Sequence, residues 1–155
     1  IEQTGEALFH ALYSRCCYAT TGDRIIVGFS IAGAFMGSEI NTKTKPGLNF
    51  NRHITGYIAG TSPIKEVCII RNGVVYQKIH PKTTEYEFAI DDMDLLSKIA
   101  FKAVGERPAF VYYYIRVEQE NGHIAWASPI WIDQTEVNTP VPSAPSSAAK
   151  KAKKG

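Results

Sequence analysis

The chain has 155 residues, 45% of them apolar and 21% charged, which is the composition of a globular protein and excludes wholesale disorder. Its net charge of +2 belongs to one end: residues 134–155 hold Lys150, Lys151, Lys153 and Lys154 against Glu136 alone, leaving 13 basic and 14 acidic residues in 1–133. A nucleic-acid-binding domain carries its basic excess on a folded face and a membrane span needs ~20 apolar residues in a row, so neither nucleic acid nor membrane is expected as a partner.

Residues 4–17 are predicted to form a helix. Thr4 is placed to cap it, and Glu6 and Arg15 suit the dipole at its first and last turns. Leu8, Ala11, Leu12 and Cys16 fall at helical spacing, with Phe9 and Tyr13 widening the stripe. So broad an apolar surface needs cover on more than one side. From Arg24 the period changes to two. Residues 24–31, 34–40 and 52–59 are predicted strands, the last two separated by the polar loop 41–50. Two hairpins follow from Asn-Gly pairs, which favour type I′ turns: 65–71 with 74–79 about Asn72-Gly73, and 110–120 with 123–132 about Asn121-Gly122. Residues 85–90 alternate as a further strand, and 91–104 reads as either a short helix or a loop crossing between sheets.

A two-residue turn at Asn121-Gly122 sets Val117 opposite Trp126, Ile115 opposite Ser128 and Tyr113 opposite Ile130 on the core face. It sets Tyr112 opposite Trp131 on the other face, beside Tyr114 and Arg116. Ser128-Pro129 predicts a bulge or an edge, because proline cannot donate to a ladder. Seven or eight short strands without βαβ alternation predict a mainly β fold, an antiparallel immunoglobulin-like β-sandwich preceded by one amphipathic helix. The Pro-, Ser-, Ala- and Lys-rich residues 134–155 are expected to be a disordered tail.

Chemistry-bearing patterns are sparse. His10, His53, His80 and His123 are far apart in sequence and form no metal-ligand motif. Asp91, Asp92 and Asp94 resemble the start of a calcium loop, but counting from Asp92 the positions that should hold an oxygen ligand, Gly and Glu are Leu96, Ser97 and Ala103; these acids are expected at the start of a helix instead. Thr20-Thr21-Gly22-Asp23-Arg24 lacks the glycines and lysine of a phosphate loop and is expected to connect helix to strand. Cys16 and Cys17 are expected to be buried and inert on the helix stripe, and three cysteines with two adjacent do not make a disulfide framework, leaving at most one bridge to Cys68. No catalytic residue and no metal ligand is assigned, and no cofactor is expected within this segment. The candidate binding residues are Tyr112, Tyr114 and Trp131, an aromatic strip on the outer face of a sheet, which suits either cover by another domain or a carbohydrate or protein ligand.

Gly5-Glu-Ala-Leu-Phe-His-Ala-Leu-Tyr-Ser-Arg15 followed by Cys17-Tyr-Ala-Thr-Thr-Gly-Asp-Arg-Ile25, then Ile70-Arg-Asn-Gly73, Phe110-Val-Tyr-Tyr-Tyr-Ile-Arg-Val117 and Ala125-Trp-Ala-Ser-Pro-Ile-Trp-Ile-Asp133, resemble the C-terminal region of large bacterial proteins of the PHP (polymerase and histidinol phosphatase) superfamily. The resemblance covers about residues 4–133. It implies a parent metal-dependent hydrolase, a phosphoesterase, whose divalent ions are held by His, Asp and Glu of a barrel lying upstream. It also implies a division of this chain into 1–22, the terminal helix and connector of that barrel; 23–133, the β-sandwich; and 134–155, the tail. The sandwich would be non-catalytic, with the barrel of the same polypeptide as its partner, and no ligand position of the barrel falls within this sequence. The sequence starts at Ile1 with no basic-then-apolar leader, and the expectation is a processed protein or a piece of a longer one.

Overall fold

The computed structural model describes residues 4–135. Helix α1 (Gly5–Tyr13) leads into β1 (Tyr18–Thr20), β2 (Ile26–Ile31), β3 (Ala34–Phe35) and β4 (Glu39–Asn41). A 3₁₀ turn at Pro46–Asn49 precedes β5 (Arg52–Ala59), β6 (Ile64–Arg71), β7 (Val74–Ile79) and β8 (Glu85–Asp92). A one-turn helix α2 (Leu96–Ile99) and the long β9 (Ala109–Gln119) follow, then β10 (Ile124–Ala127) and β11 (Ile130–Gln134). The fold is an immunoglobulin-like β-sandwich preceded by one amphipathic helix.

One sheet is centred on β9. Along one side of it β10 and β11 lie end to end, with β1 outside β10 and β4 outside β11; along the other side come β6 and then β7. The second sheet has the order β3-β2-β5-β8. Pairing is antiparallel except between β11 and β4. Alternation along the strands turns Val27, Phe29, Ile31, Ile54 and Ile58 of the second sheet toward Val67, Ile69, Val111, Ile115, Val117, Ile130 and Ile132 of the first, and all are buried. Leu96 of α2 and Leu48 of the 3₁₀ turn are buried with them.

The first hairpin is built on the predicted two-residue turn: Arg71 pairs with Val74, and Asn72 and Gly73 both take positive φ, 54° and 80°. The second is not. Gln119 and His123 close a three-residue loop in which Gly122 alone has positive φ, 82°, the bulge-type hairpin that follows two-residue turns in frequency. The extra residue shifts the register by one, so Val117 pairs with Ala125 and Trp126 with Arg116. Trp126 therefore faces outward, against the expectation that it shares the core face. The break at Ser128-Pro129 restores the register, and Ile130 meets Tyr113 and Trp131 meets Tyr112 as predicted.

Other differences are local. The helix ends at Tyr13 rather than at residue 17, so Cys16 and Cys17 leave the stripe, Cys16 exposed and Cys17 half-buried instead of buried, and neither is bridged to the buried Cys68. Residues 18–20, expected as connector, form β1 on the edge of the first sheet. Of the predicted tail, Gln134 closes β11 opposite Ala109 and Thr135 exchanges hydrogen bonds with Thr42; residues 136–155 lie outside the described residues.

Candidate docking surface

α1 is a well-made helix whose apolar side is left open by the described residues. The Thr4 hydroxyl accepts from the Ala7 amide at 3.2 Å, and Glu6 sits in the first turn. At the other end the Arg15 amide donates to Leu12 O and the Cys16 amide to Ala11 O, the paired bonds of a Schellman motif. Its left-handed residue is Arg15, φ 58°, where glycine is usual and another residue costs ~1–2 kcal/mol. The side chain explains the choice. Arg15 Nε donates to Gly37 O at 3.1 Å, Nη2 pairs with Glu39 at 2.9 Å, and the guanidinium lies over the Trp131 ring, 5.1 Å from its centre. Arginine thus ties the root of α1 to the β3–β4 turn and to β11. Gly37, at φ +88°, makes room: a Cβ there would lie 2.5 Å from Arg15 O and 2.8 Å from Ser14 O. Beyond this root no residue of α1 is buried. Leu8, Phe9, Leu12 and Tyr13 are 64%, 68%, 58% and 80% exposed, and Phe9 and Tyr13 stack on each other.

A second apolar surface begins at the same root. A groove of about 850 Å³ runs over the outer face of the β3-β2-β5-β8 sheet. Its middle is narrow-bodied, Gly28, Ser30, Thr55 and Ala89, and Tyr18, Ile26, Phe35 and Tyr57 stand along it. The Phe35 ring lies against Gly28. Met36, which also lines the groove, receives the Cys16 thiol on its carbonyl oxygen at 3.8 Å.

The aromatic strip predicted from sequence lies on the outer face of the other sheet. Tyr112 and Tyr114 stack with rings 6.5 Å apart and 8° from parallel, and Trp131 pairs with Tyr112 across the ladder. All three are half-buried. Phe101, from the loop after α2, stacks on Tyr112, and Arg15 covers Trp131. Two of the three rings therefore already carry a cover from this chain. Farther along the same face Glu66 accepts from Cys68, Lys78 and Arg116, and these bonds, that of Cys68 foremost, hold its carboxyl down at about 2. Burial pushes the Cys68 thiol up.

The polar clusters are structural in build. Arg52 and Asp92, both fully buried, pair at 2.7 Å; the Tyr113 hydroxyl donates to Asp92 at 2.6 Å and Arg71 to Asp92 at 2.6 Å and Asp94 at 2.7 Å. Burial works to raise the Asp92 carboxyl, but the bonds from Tyr113 and Arg71 together with the Arg52 charge hold it below its ordinary value. Asp92 is thus the inter-sheet anchor, not a first-turn helix acid as its sequence context suggests. At the opposite end of the sandwich Asp23 accepts from Thr61, Gln119 and Asn121, Thr61 contributing most to holding its carboxyl low. With a carboxylate at its centre, the Thr20–Arg24 segment is unsuited to an anion. His53 bonds Asp91, His80 the Lys65 carbonyl and His123 the Thr21 hydroxyl, at three separate places. Among the described residues no three His, Cys, Asp or Glu side chains come together as a metal site. Sequence reasoning missed the groove and the Arg52–Asp92 pair; the inward phase of both residues on their strands was the available signal.

The chain is 50% identical over 128 residues to a protein of Chlamydia trachomatis serovar D, 49% over 130 residues to one of Chlamydia pneumoniae and 49% over 128 residues to one of Chlamydia muridarum, each described as an uncharacterized protein. The alignments take in 83–84% of this chain and 21% of each relative, so the chain spans about a fifth of the length of the curated relatives it matches. No family model matches the chain, and no solved structure does.

Proposed function

We propose that this chain is the non-catalytic β-sandwich of a longer protein, a PHP-like metal-dependent hydrolase of phosphoesterase type, and that it braces or borders the catalytic barrel of that polypeptide. The observation that carries the docking part is α1: a capped helix of nine residues with no buried residue and four large apolar side chains in solvent. Isolated helices under ~12 residues are marginal in water, and helices in proteins are held chiefly by packing of an apolar face. A face of this kind implies a partner surface. The occupant is the remainder of the longer polypeptide, because relatives about half identical to this chain carry roughly four-fifths of their length outside the aligned region. The hydrolase part rests on the motif resemblance. Divalent ions bound in the barrel would supply the activated water, and the sandwich would contribute position and shelter.

The test compares the complete polypeptide with residues 1–155. The complete protein should cleave a generic phosphoester in the presence of Mn²⁺ or Zn²⁺ and lose that activity on chelation, and its reading frame should carry His-x-His and Asp-x-His motifs upstream of Ile1. Residues 1–155 should be inert. Hydrolysis by residues 1–155, or an upstream frame without those motifs, would contradict the proposal.

A further inference from the structure

The two outer faces of the sandwich are unequal. The face of the β9-centred sheet is dressed by this chain: Phe101 stacks on Tyr112, Arg107 lies over Phe110 at 4.0 Å, Arg15 lies over Trp131, and Glu66 is held by Lys78 and Arg116. The opposite face divides along its length. Toward β8 it presents Glu85, Glu87 and Asp91, as a solvated antiparallel sheet should. Toward β2 and β3 it presents Ile26, Gly28 and Phe35, with Tyr57 beside them and Tyr18 at the end; Ile26 is 54%, Phe35 48% and Tyr57 40% exposed. A contiguous apolar patch with a polar border marks an interaction surface.

We infer that this half-face, the groove walled by Tyr18, Ile26, Phe35 and Tyr57 over Gly28, is the seat on which the sandwich packs against the domain that covers α1 in the longer polypeptide. The inference rests on the docking reading above and names its surface. Continuity favours this occupant. Arg15 and Cys16, the root of α1, lie on Gly37 and Met36; Met36 lines the groove, and Tyr18 follows Cys16 by two positions. Arg15, bonded to Gly37 and Glu39, fixes the root of α1 beside the β3–β4 turn, from which Met36 enters the groove. Whatever packs on Leu8, Phe9 and Leu12 is thereby tethered a few residues from Met36 and Tyr18 of the groove, at the high effective concentration of a linked partner. The small side chains Ser30, Thr55 and Ala89, beside the Phe35 ring that lies over Gly28, leave a slot that accepts an apolar ridge, such as the exposed row of a helix.

Hydroxyl-radical footprinting of the complete polypeptide against residues 1–155 tests this. Phe9, Leu12 and Tyr13 report on the helix and Tyr18, Phe35 and Tyr57 on the groove; Met93, 71% exposed at a distant loop, is the control. As exposure drops to a tenth or less, modification should fall about fourfold at the groove reporters, 40–48% exposed, and about sixfold or more at the helix reporters, 58–80% exposed, with Met93 unchanged. Protection of the helix alone would overturn the inference and leave the docking reading standing. Protection of neither would overturn both. Protection of the groove that disappears on dilution would assign it to a second copy of the chain and overturn the inference.

Discussion

Arg52 and Asp92 are separated by 40 positions and meet at 2.7 Å with neither side chain exposed. They join β5 to β8 within one sheet, while Tyr113 and Arg71 bring the other sheet to the same carboxylate. Removing one partner of such a pair leaves a buried charge uncompensated. Arg52→Ala should cost about 3–5 kcal/mol in urea unfolding, and a loss under 1 kcal/mol would mean that water relaxes into the site. The carboxylates also set the response to acid. Asp23, Glu66, Asp91 and Asp92 are all held below their ordinary values, the first three chiefly by hydrogen bonds from Thr61, Cys68 and His53, and Asp92 by Tyr113 and Arg71 against its own burial. A depressed carboxylate stabilises the fold above its unfolded pKa and loses that contribution as pH falls through the folded one. The melting temperature should therefore hold level down to about pH 5 and fall progressively below about pH 4. A melting temperature unchanged to about pH 2.5 would contradict the assignment of these bonds. The inward phase of Arg52 and Asp92 was the one sequence signal for this pair; the rest was hidden, because the acid run at 91–94 reads locally as a helix start and its partners are remote.

Period and turn chemistry made most elements readable. The strand at 52–59 and both arms of the Asn72-Gly73 hairpin stand where alternation puts them. The second hairpin shows the limit. Asn121-Gly122 fits a two-residue or a three-residue loop equally well, and the added residue turns Trp126 from the core face to the outside while Val117 meets Ala125. Side-chain period is two, so a slip of one reverses the face of every residue until a bulge corrects it, and Ser128-Pro129 is that correction. The end of α1 is hidden in the sequence for a similar reason. A left-handed Arg15 carries no sequence signal comparable to glycine, and its warrant is the tertiary clamp on Gly37, Glu39 and Trp131. Gly37→Ala tests the clamp, since it places a Cβ against backbone atoms of Ser14 and Arg15 at a positive φ. It should destabilise the chain by about 1–3 kcal/mol. Unchanged stability, with the α1 root still protected in hydrogen exchange, would show that the turn adapts freely.

At the scale of the whole molecule, what needs explaining is apolar surface in the wrong place: the face of α1 and the half-sheet beside it. The breadth of the α1 stripe was legible as a demand for cover, whereas the groove was not, because its character comes from Gly28, Thr55 and Ala89 meeting across three strands. Among the described residues the histidines are scattered and the carboxylates engaged, with no cluster that could hold a cation, so residues 1–155 should bind Zn²⁺ or Mn²⁺ no tighter than ~10⁻⁴ M in calorimetric titration, and a stoichiometric micromolar site would contradict that. The central claim, that α1 belongs to an interface with the rest of a longer polypeptide, is tested most directly by measuring the stability cost of Leu12→Ala in two contexts. In residues 1–155, where Leu12 is 58% exposed, the cost should be about 1 kcal/mol or less, and in the complete polypeptide it should reach the ~2–5 kcal/mol of a buried leucine. Equal small costs in both contexts would mean that nothing covers the helix, and equal large costs would place it in the sandwich core; either result would contradict the account.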